Sequence, residues 1–308
     1  MTIRARRTRR GEEPGDPAAD ELVALDRAIG DLDWTVFPLG VRAFGFPAPS
    51  GTLASVALGD PGHPRAVLLP GATGSKEDFV LLAPLLVRAG YFVESYDLAG
   101  QYQSATAGPP KPDAYDYALF VDDLIAFLEA GSTPAHVLGY SFAGIVAEIA
   151  LAQRPELFAT LTLLGAPPEP GQAFRGVRWI GPLSHVLTAN RIAALIIWGI
   201  VSNLNTVRPG RLALVRMRFR HTNRRSVDDI VRLMKHTPDL RSVLADSGIP
   251  MLIAVGSHDI WRTRLHRALA GQIDAEVRVY RTGHSPCETT PNQLARDMLA
   301  LYARGDAR

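Results

Sequence analysis

Apolar positions along this chain fall into two rhythms that alternate. Short runs dominated by apolar residues occur at 65–69, 91–96, 136–138, 158–164 and 251–255, and a run that alternates polar and apolar residues at 276–280 reads as a further strand. Runs of that length without regular polar alternation read as strands buried on both faces. Between them, apolar residues return every three or four positions. Phe79, Leu82, Leu85 and Leu86 do so within 75–89, where Gly90 stops the pattern. The same spacing predicts helices over 115–130, from 141 to about 154, over 263–270 and over 291–303. Strand and helix thus alternate as right-handed parallel crossovers require. Two runs differ. The stretches 41–46 and 52–58 flank Pro47-Ala48-Pro49-Ser50-Gly51 and read as an antiparallel opening hairpin. The fold class is α/β, a mostly parallel sheet with helices on both faces.

The alternation breaks after Pro167. From there to Ile249 no strand is evident, and several apolar helical stretches follow Pro167-Pro168-Glu169-Pro170-Gly171. Residues 168–249 are therefore expected to form a helical lid, inserted into a core made of 34–167 and 250–308. Residues 1–33 read as a disordered tail and a short helix, with Leu22, Leu25, Ile29 and Leu32 at helical spacing over 20–34.

Composition narrows the picture. At 308 residues and 47% hydrophobic, the chain suits one large domain or a domain with an insertion. A net charge of +2 gives no reason to expect nucleic acid as a partner. Cys287 is the single cysteine, so no intrachain disulfide can form, which fits a reducing cytoplasm. No cysteine or histidine cluster has zinc spacing, and no metal or other cofactor is expected. Arg4, Arg6, Arg7, Arg9 and Arg10 open the chain without the apolar stretch that an export signal needs. A solvated basic tail is the expectation, and contact with a membrane is not.

Candidate chemistry centres on Val137-Leu138-Gly139-Tyr140-Ser141-Phe142-Ala143-Gly144. An apolar run meets a glycine, a serine follows two residues later, and a helical pattern begins. This reads as strand, sharp turn and helix, with Ser141 lifted at the apex. The usual pattern is G-x-S-x-G, and here Ala143 takes the last small position. A serine hydroxyl needs a base, and the base needs an orienting group. Two later loops follow strands and offer them, Val255-Gly256-Ser257-His258-Asp259 and Thr282-Gly283-His284-Ser285-Pro286. Asp259 is the candidate orienter, with His258 and Glu169 as rivals and helix capping as its plain alternative. His284 is the candidate base. Cys287 either lines the site or is simply buried.

In this order, Ser141, Asp259 and then His284, the chain resembles the α/β-hydrolase superfamily. The resemblance runs from about Val41 to Ala303. Pro70-Gly71-Ala72 stands where many members have His-Gly-x. Asp97-Leu98-Ala99-Gly100-Gln101-Tyr102-Gln103-Ser104 is similar to the Asp-x-x-Gly-x-Gly-x-Ser loop, with Tyr102 in place of its second glycine. Gly283-His284 through Glu288 to Pro291 matches the family's closing motif. The resemblance implies an oxyanion hole from the amides of Ala72 and Phe142, with Thr73 as a substitute donor. It implies a serine hydrolase of a carboxylic ester or thioester. Carbon–carbon bond hydrolysis of a diketo acid, cofactor-free haloperoxidation and non-catalytic ligand binding stay open as alternatives. The serine at the elbow counts against dehalogenases and epoxide hydrolases, which place an aspartate there.

Substrate clues lie in the expected lid. Residues 168–249 hold thirteen bases and five acids, an excess of +8, while the rest of the chain carries −6. A solvated helix surface accounts for this, as does steering of an anionic acyl substrate. The apolar run Ile192–Val201, which contains Trp198, is expected to pack over the pocket. Tyr140, Thr73 and Trp198 are the candidate pocket residues. Tyr140 and Phe142 together are expected to form an aromatic wall beside Ser141.

Overall fold

A computed structural model describes residues 17–176 and 207–307. Its centre is an eight-stranded sheet. The strands are β1 (Arg42–Ala48), β2 (Gly51–Leu58), β3 (Arg65–Leu69), β4 (Phe92–Tyr96), β5 (Ala135–Tyr140), β6 (Phe158–Leu164), β7 (Met251–Gly256) and β8 (Glu276–Tyr280). They lie in the order β1-β2-β4-β3-β5-β6-β7-β8. The first hairpin is antiparallel and β2 meets β4 antiparallel, while every pairing from β4 to β8 is parallel. The carboxyl ends of the parallel strands therefore share one edge, and the loops that follow them converge there.

Helices cover both faces. On one lie α3 (Tyr117–Glu129), α4 (Phe142–Gln153) and α8 (Thr263–Ile273), packed on Val67, Leu69, Val137 and Ile253. On the other lie α2 (Ala83–Arg88), the short α9 (Pro286–Thr289) and α10 (Pro291–Gly305), packed on Ala66, Leu68, Leu138 and Leu252. Alternate residues of one strand thus feed two separate cores, which is why the buried strands are mostly apolar along their whole length. The described residues between β6 and β7 contain α5 (Pro209–His221), α6 (Arg224–Leu233) and α7 (Arg241–Asp246), with a single bridge from Gly171 to Thr237 as their only β pairing.

Two expected helices differ. The one over 75–89 is broken into a 3₁₀ turn (Lys76–Phe79) and α2. Pro84 explains the break. It lacks an N–H and fits only the first turn of a helix, so the helix must restart just before it. The N-terminal helix α1 spans Pro17–Ala28 instead of running to 34. Residues after it dock as a loop with turns. The carboxylate of Asp26 accepts hydrogen bonds from the amides of Asn292 (2.8 Å) and Gln293 (3.3 Å), so α1 caps the start of α10 from outside. Asp31 accepts from the amide of Gly210 at the start of α5 (3.1 and 3.2 Å). The ring of Trp34 lies 5.0 Å from the guanidinium of Arg211.

Gly210 is the tight point of this docking. A Cβ there would lie 2.0 Å from the carbonyl oxygen of Leu32. Gly210→Ala is expected to lower stability by about 1–3 kcal/mol, because backbone must move to admit the methyl group. Urea denaturation would measure it. Limited proteolysis is expected to show faster cleavage within 29–34 in that variant.

Candidate active site

Ser141 stands between β5 and α4 with φ 53° and ψ −118°. That left-handed conformation is strained for any residue but glycine, by about 1–3 kcal/mol, and persists only when its surroundings impose it. They do so through small residues. A Cβ on Gly139 would lie 2.6 Å from the carbonyl oxygen of Ala143, and one on Gly144 would lie 2.5 Å from the Cβ of Ala166. The close approach of helix to strand thus falls on Gly139 and Gly144. The side chain of Ala143 packs in the core, so alanine at that place leaves the turn intact.

His284 follows β8. Its Nδ1 lies 3.1 Å from each carboxylate oxygen of Asp259, which follows β7 and is 1% exposed. Asp259 also accepts a hydrogen bond from the amide of Trp261 (3.2 Å), and the following helix takes Arg262 as its N-cap, so Asp259 does not cap it. The rivals point elsewhere. His258 is exposed and bonded to the hydroxyl of its neighbour Ser257, and Glu169 is exposed. Gly165, at φ +52°, ends β6 beneath the pair. A Cβ there would come within 3.1 Å of the His284 ring and 3.2 Å of Asp259. Burial opposes the charged form of His284, but the Asp259 carboxylate outweighs it by charge and hydrogen bond. With a smaller contribution from Glu288, the imidazole is held above its ordinary value of 6.5.

Ser141 and His284 line one cavity of about 180 Å³. Among the described residues no hydrogen bond joins their side chains, and both face the same space. Gly71 lets the loop after β3 close on the serine, since a Cβ there would lie 3.1 Å from that of Ser141. Among the described residues no hydrogen bond takes the amide of Ala72 or of Phe142. The second is one of the orphan donors at a helix start. The amide of Thr73 differs. It donates to Oε1 of Gln101 (3.1 Å), whose Nε2 donates to Ser226 on α6 (2.6 Å). Thr73 lines the cavity but has no free amide to offer.

Tyr140 also lines the cavity, and its hydroxyl meets that of Ser285 at 2.8 Å. The expected aromatic wall is only half present. The ring of Phe142 is fully buried, stacked on Tyr117 and edge-on to Phe120. As the first residue of α4 it turns into the core, leaving only its amide near the serine. Cys287 is buried in the α2 and α10 core. Trp198 lies outside the described residues.

Four charged groups stand in the cavity wall that are not among the candidate pocket residues. Arg211 and Arg218, on one face of α5 with Leu214 and Val215, reach Asp78 from the loop after β3. Arg211 also reaches Glu288. The signal was available. Positions 211, 214, 215 and 218 share one side of a helix. Three other described bases of 168–249 meet local acids, Arg224 on Asp228, Arg232 on Asp229 and Arg241 on Asp239. The basic excess of this segment therefore partly answers acids of the sheet domain.

Comparison with known proteins agrees with the fold. Residues 66–297 match the family described as "Alpha/beta hydrolase family". Over 109 residues the chain is 32% identical to strigolactone esterase RMS3 of Pisum sativum, a match covering 32% of this chain and 40% of the pea protein. The chain thus spans about two fifths of the length of that relative. Among solved structures, a carboxylesterase from the ammonia-oxidizing thaumarchaeon Nitrososphaera gargenis superposes with a TM-score of 0.67 at 19% identity, covering 86% of this chain and 99% of that one. A meta-cleavage product hydrolase from Pseudomonas fluorescens superposes with a TM-score of 0.67 at 17% identity, covering 88% and 100%. At such identities the structures speak for the fold alone. The family match covers most of the chain, and the protein belongs to the alpha/beta hydrolase family.

Proposed function

We propose that the protein is a serine hydrolase that cleaves a carboxylic ester or thioester of a small acyl group through an acyl-enzyme. The observation that carries this reading is the cavity itself. It brings a serine on a strained turn together with a histidine whose far nitrogen is held by a buried carboxylate. In this reading Ser141 Oγ attacks the acyl carbonyl while His284 Nε2 takes its proton. Asp259 holds the imidazole with its proton on Nδ1 and stabilises the imidazolium. The amides of Ala72 and Phe142 receive the oxyanion, and their lack of other partners means that no bond is broken to do so. His284 then protonates the leaving oxygen or sulfur. Water, activated by the same base, frees the acid and restores Ser141. Residues 168–249 act as the lid in this account, supported by the wall that Val207, Arg211, Val215 and Arg218 contribute to the cavity.

At about 180 Å³ the cavity falls below the range of about 300–1,000 Å³ that takes drug-sized ligands. Among 4-nitrophenyl esters, acetate and butyrate are expected to give a higher kcat/KM than octanoate. A steady rise from acetate to octanoate would contradict this reading of the substrate.

The base must be neutral to act, and Asp259 raises the pH at which His284 loses its proton. The kcat/KM profile for a neutral ester is therefore expected to fall toward acid with an apparent pKa above 6.5. A profile flat down to pH 5.5 would remove His284 from the role of base.

A further inference from the structure

Arg218 is 4% exposed and lines the same cavity as Ser141. It spends one nitrogen on the protein. Its Nη1 donates to Asp78 (2.5 Å) and to the hydroxyl of Ser75 (3.2 Å). Its Nε is buried with no partner, and no hydrogen bond takes its Nη2 among the described residues. These two nitrogens form one edge of the guanidinium, the edge that grips a carboxylate through two parallel hydrogen bonds. Arg211, 8% exposed, repeats the arrangement two turns earlier. Its Nη2 reaches Asp78 and Glu288, and its Nη1 is buried without a partner. Buried donors left unpaired are rare in folded proteins, and two on neighbouring guanidiniums in one wall call for an acceptor.

Taking the hydrolase reading as given, we propose that Arg218, flanked by Arg211, binds a second carboxylate carried by the acyl group, so that the substrate is a short monoester or monothioester of a dicarboxylic acid. Asp78 is shared between the two guanidiniums and keeps them side by side. The other charged or titratable groups of the wall are Glu288, His284 and Tyr140, whose phenol burial keeps neutral. Burial holds the Glu288 carboxyl above its ordinary range despite Arg211, and it takes only the Nη2 of that guanidinium, leaving Nη1 without a partner. Their own segment adds the apolar Val207 and Val215 to the wall, which strengthens a charge-assisted bond made beside them.

The test compares mono-4-nitrophenyl glutarate with 4-nitrophenyl pentanoate, in which a methyl group replaces the carboxylate, after subtraction of the uncatalysed rates. The wild type is expected to prefer the glutarate ester by about tenfold or more in kcat/KM, mainly through KM. Arg218→Gln is expected to remove that preference. Arg218→Lys, which keeps a cation beside Asp78 but loses the fork, is expected to retain part of it, and serves if the glutamine variant does not fold. Equal rates for the two esters in the wild type, or an unchanged preference in both Arg218 variants, would overturn the carboxylate site while leaving the hydrolase reading in place. If neither ester turns over, the hydrolase reading fails first. Calorimetry with glutarate then decides the site separately. Binding to Ser141→Ala that is lost on adding Arg218→Gln supports it, and absence of binding refutes it.

Discussion

Replacing Ser141 with alanine is expected to lower kcat/KM for 4-nitrophenyl acetate by about 10⁵-fold while leaving the protein folded. The size follows from the chemistry. Without the hydroxyl no acyl-enzyme forms, and what remains is the modest catalysis of a cavity with two free amides, about 10³–10⁴ over water. Folding should be spared because the Ser141 side chain holds nothing else in place. Its turn is imposed by the contacts at Gly139, Gly144 and Gly71, none of which uses the hydroxyl. Stability in urea is expected to change by less than about 0.5 kcal/mol. A variant that keeps full activity would place the nucleophile elsewhere.

Asp259→Asn is expected to lower kcat by about 10⁴-fold. Both oxygens of Asp259 face Nδ1 of His284, and an asparagine there can present an N–H in their place. The imidazole would then accept at Nδ1 and carry its proton on Nε2, where the base must be free. The same change removes the carboxylate that raises the imidazole above 6.5, leaving burial to push it down against the smaller influence of Glu288. Whatever activity survives should therefore show an acid limb displaced to lower pH than in the wild type. A kcat near that of the wild type, with the limb unmoved, would mean that Asp259 does not orient the base.

Much of this architecture was legible because most of the buried parallel strands are dominated by apolar residues and their crossovers leave a helical pattern. The three loops that bring Ser141, Asp259 and His284 to one edge follow from that register. Tyr102 is a fine case. It stands in the second-glycine place of a loop motif and takes φ 38°, a left-handed conformation that glycine adopts freely. Its amide donates to the hydroxyl of Thr222 (3.0 Å) and its ring lies 5.3 Å from the ammonium of Lys76, so packing holds what glycine would have allowed.

What was not legible depends on long separations or on direction. Arg211 meets Asp78 across 133 residues of chain and Glu288 across 77. Local spacing marks both arginines as one helix face, but only the fold shows which acids they face. Phe142 was read as a pocket wall from its neighbour, yet its side chain turns inward at the start of α4. The break at Pro84 was visible as a residue and was outweighed by the apolar spacing around it. Asp26 gave no signal at all, since it caps a helix that begins 265 residues after it, at Pro291.

Reaction with a fluorophosphonate, followed by peptide mass spectrometry, tests the central claim most directly. It reports an activated serine whatever the natural substrate. The account predicts one adduct per chain, on the peptide containing Ser141, absent in Ser141→Ala and formed far more slowly in Asp259→Asn. Folded wild-type protein that takes up no probe, or that carries the adduct on another residue, would contradict it.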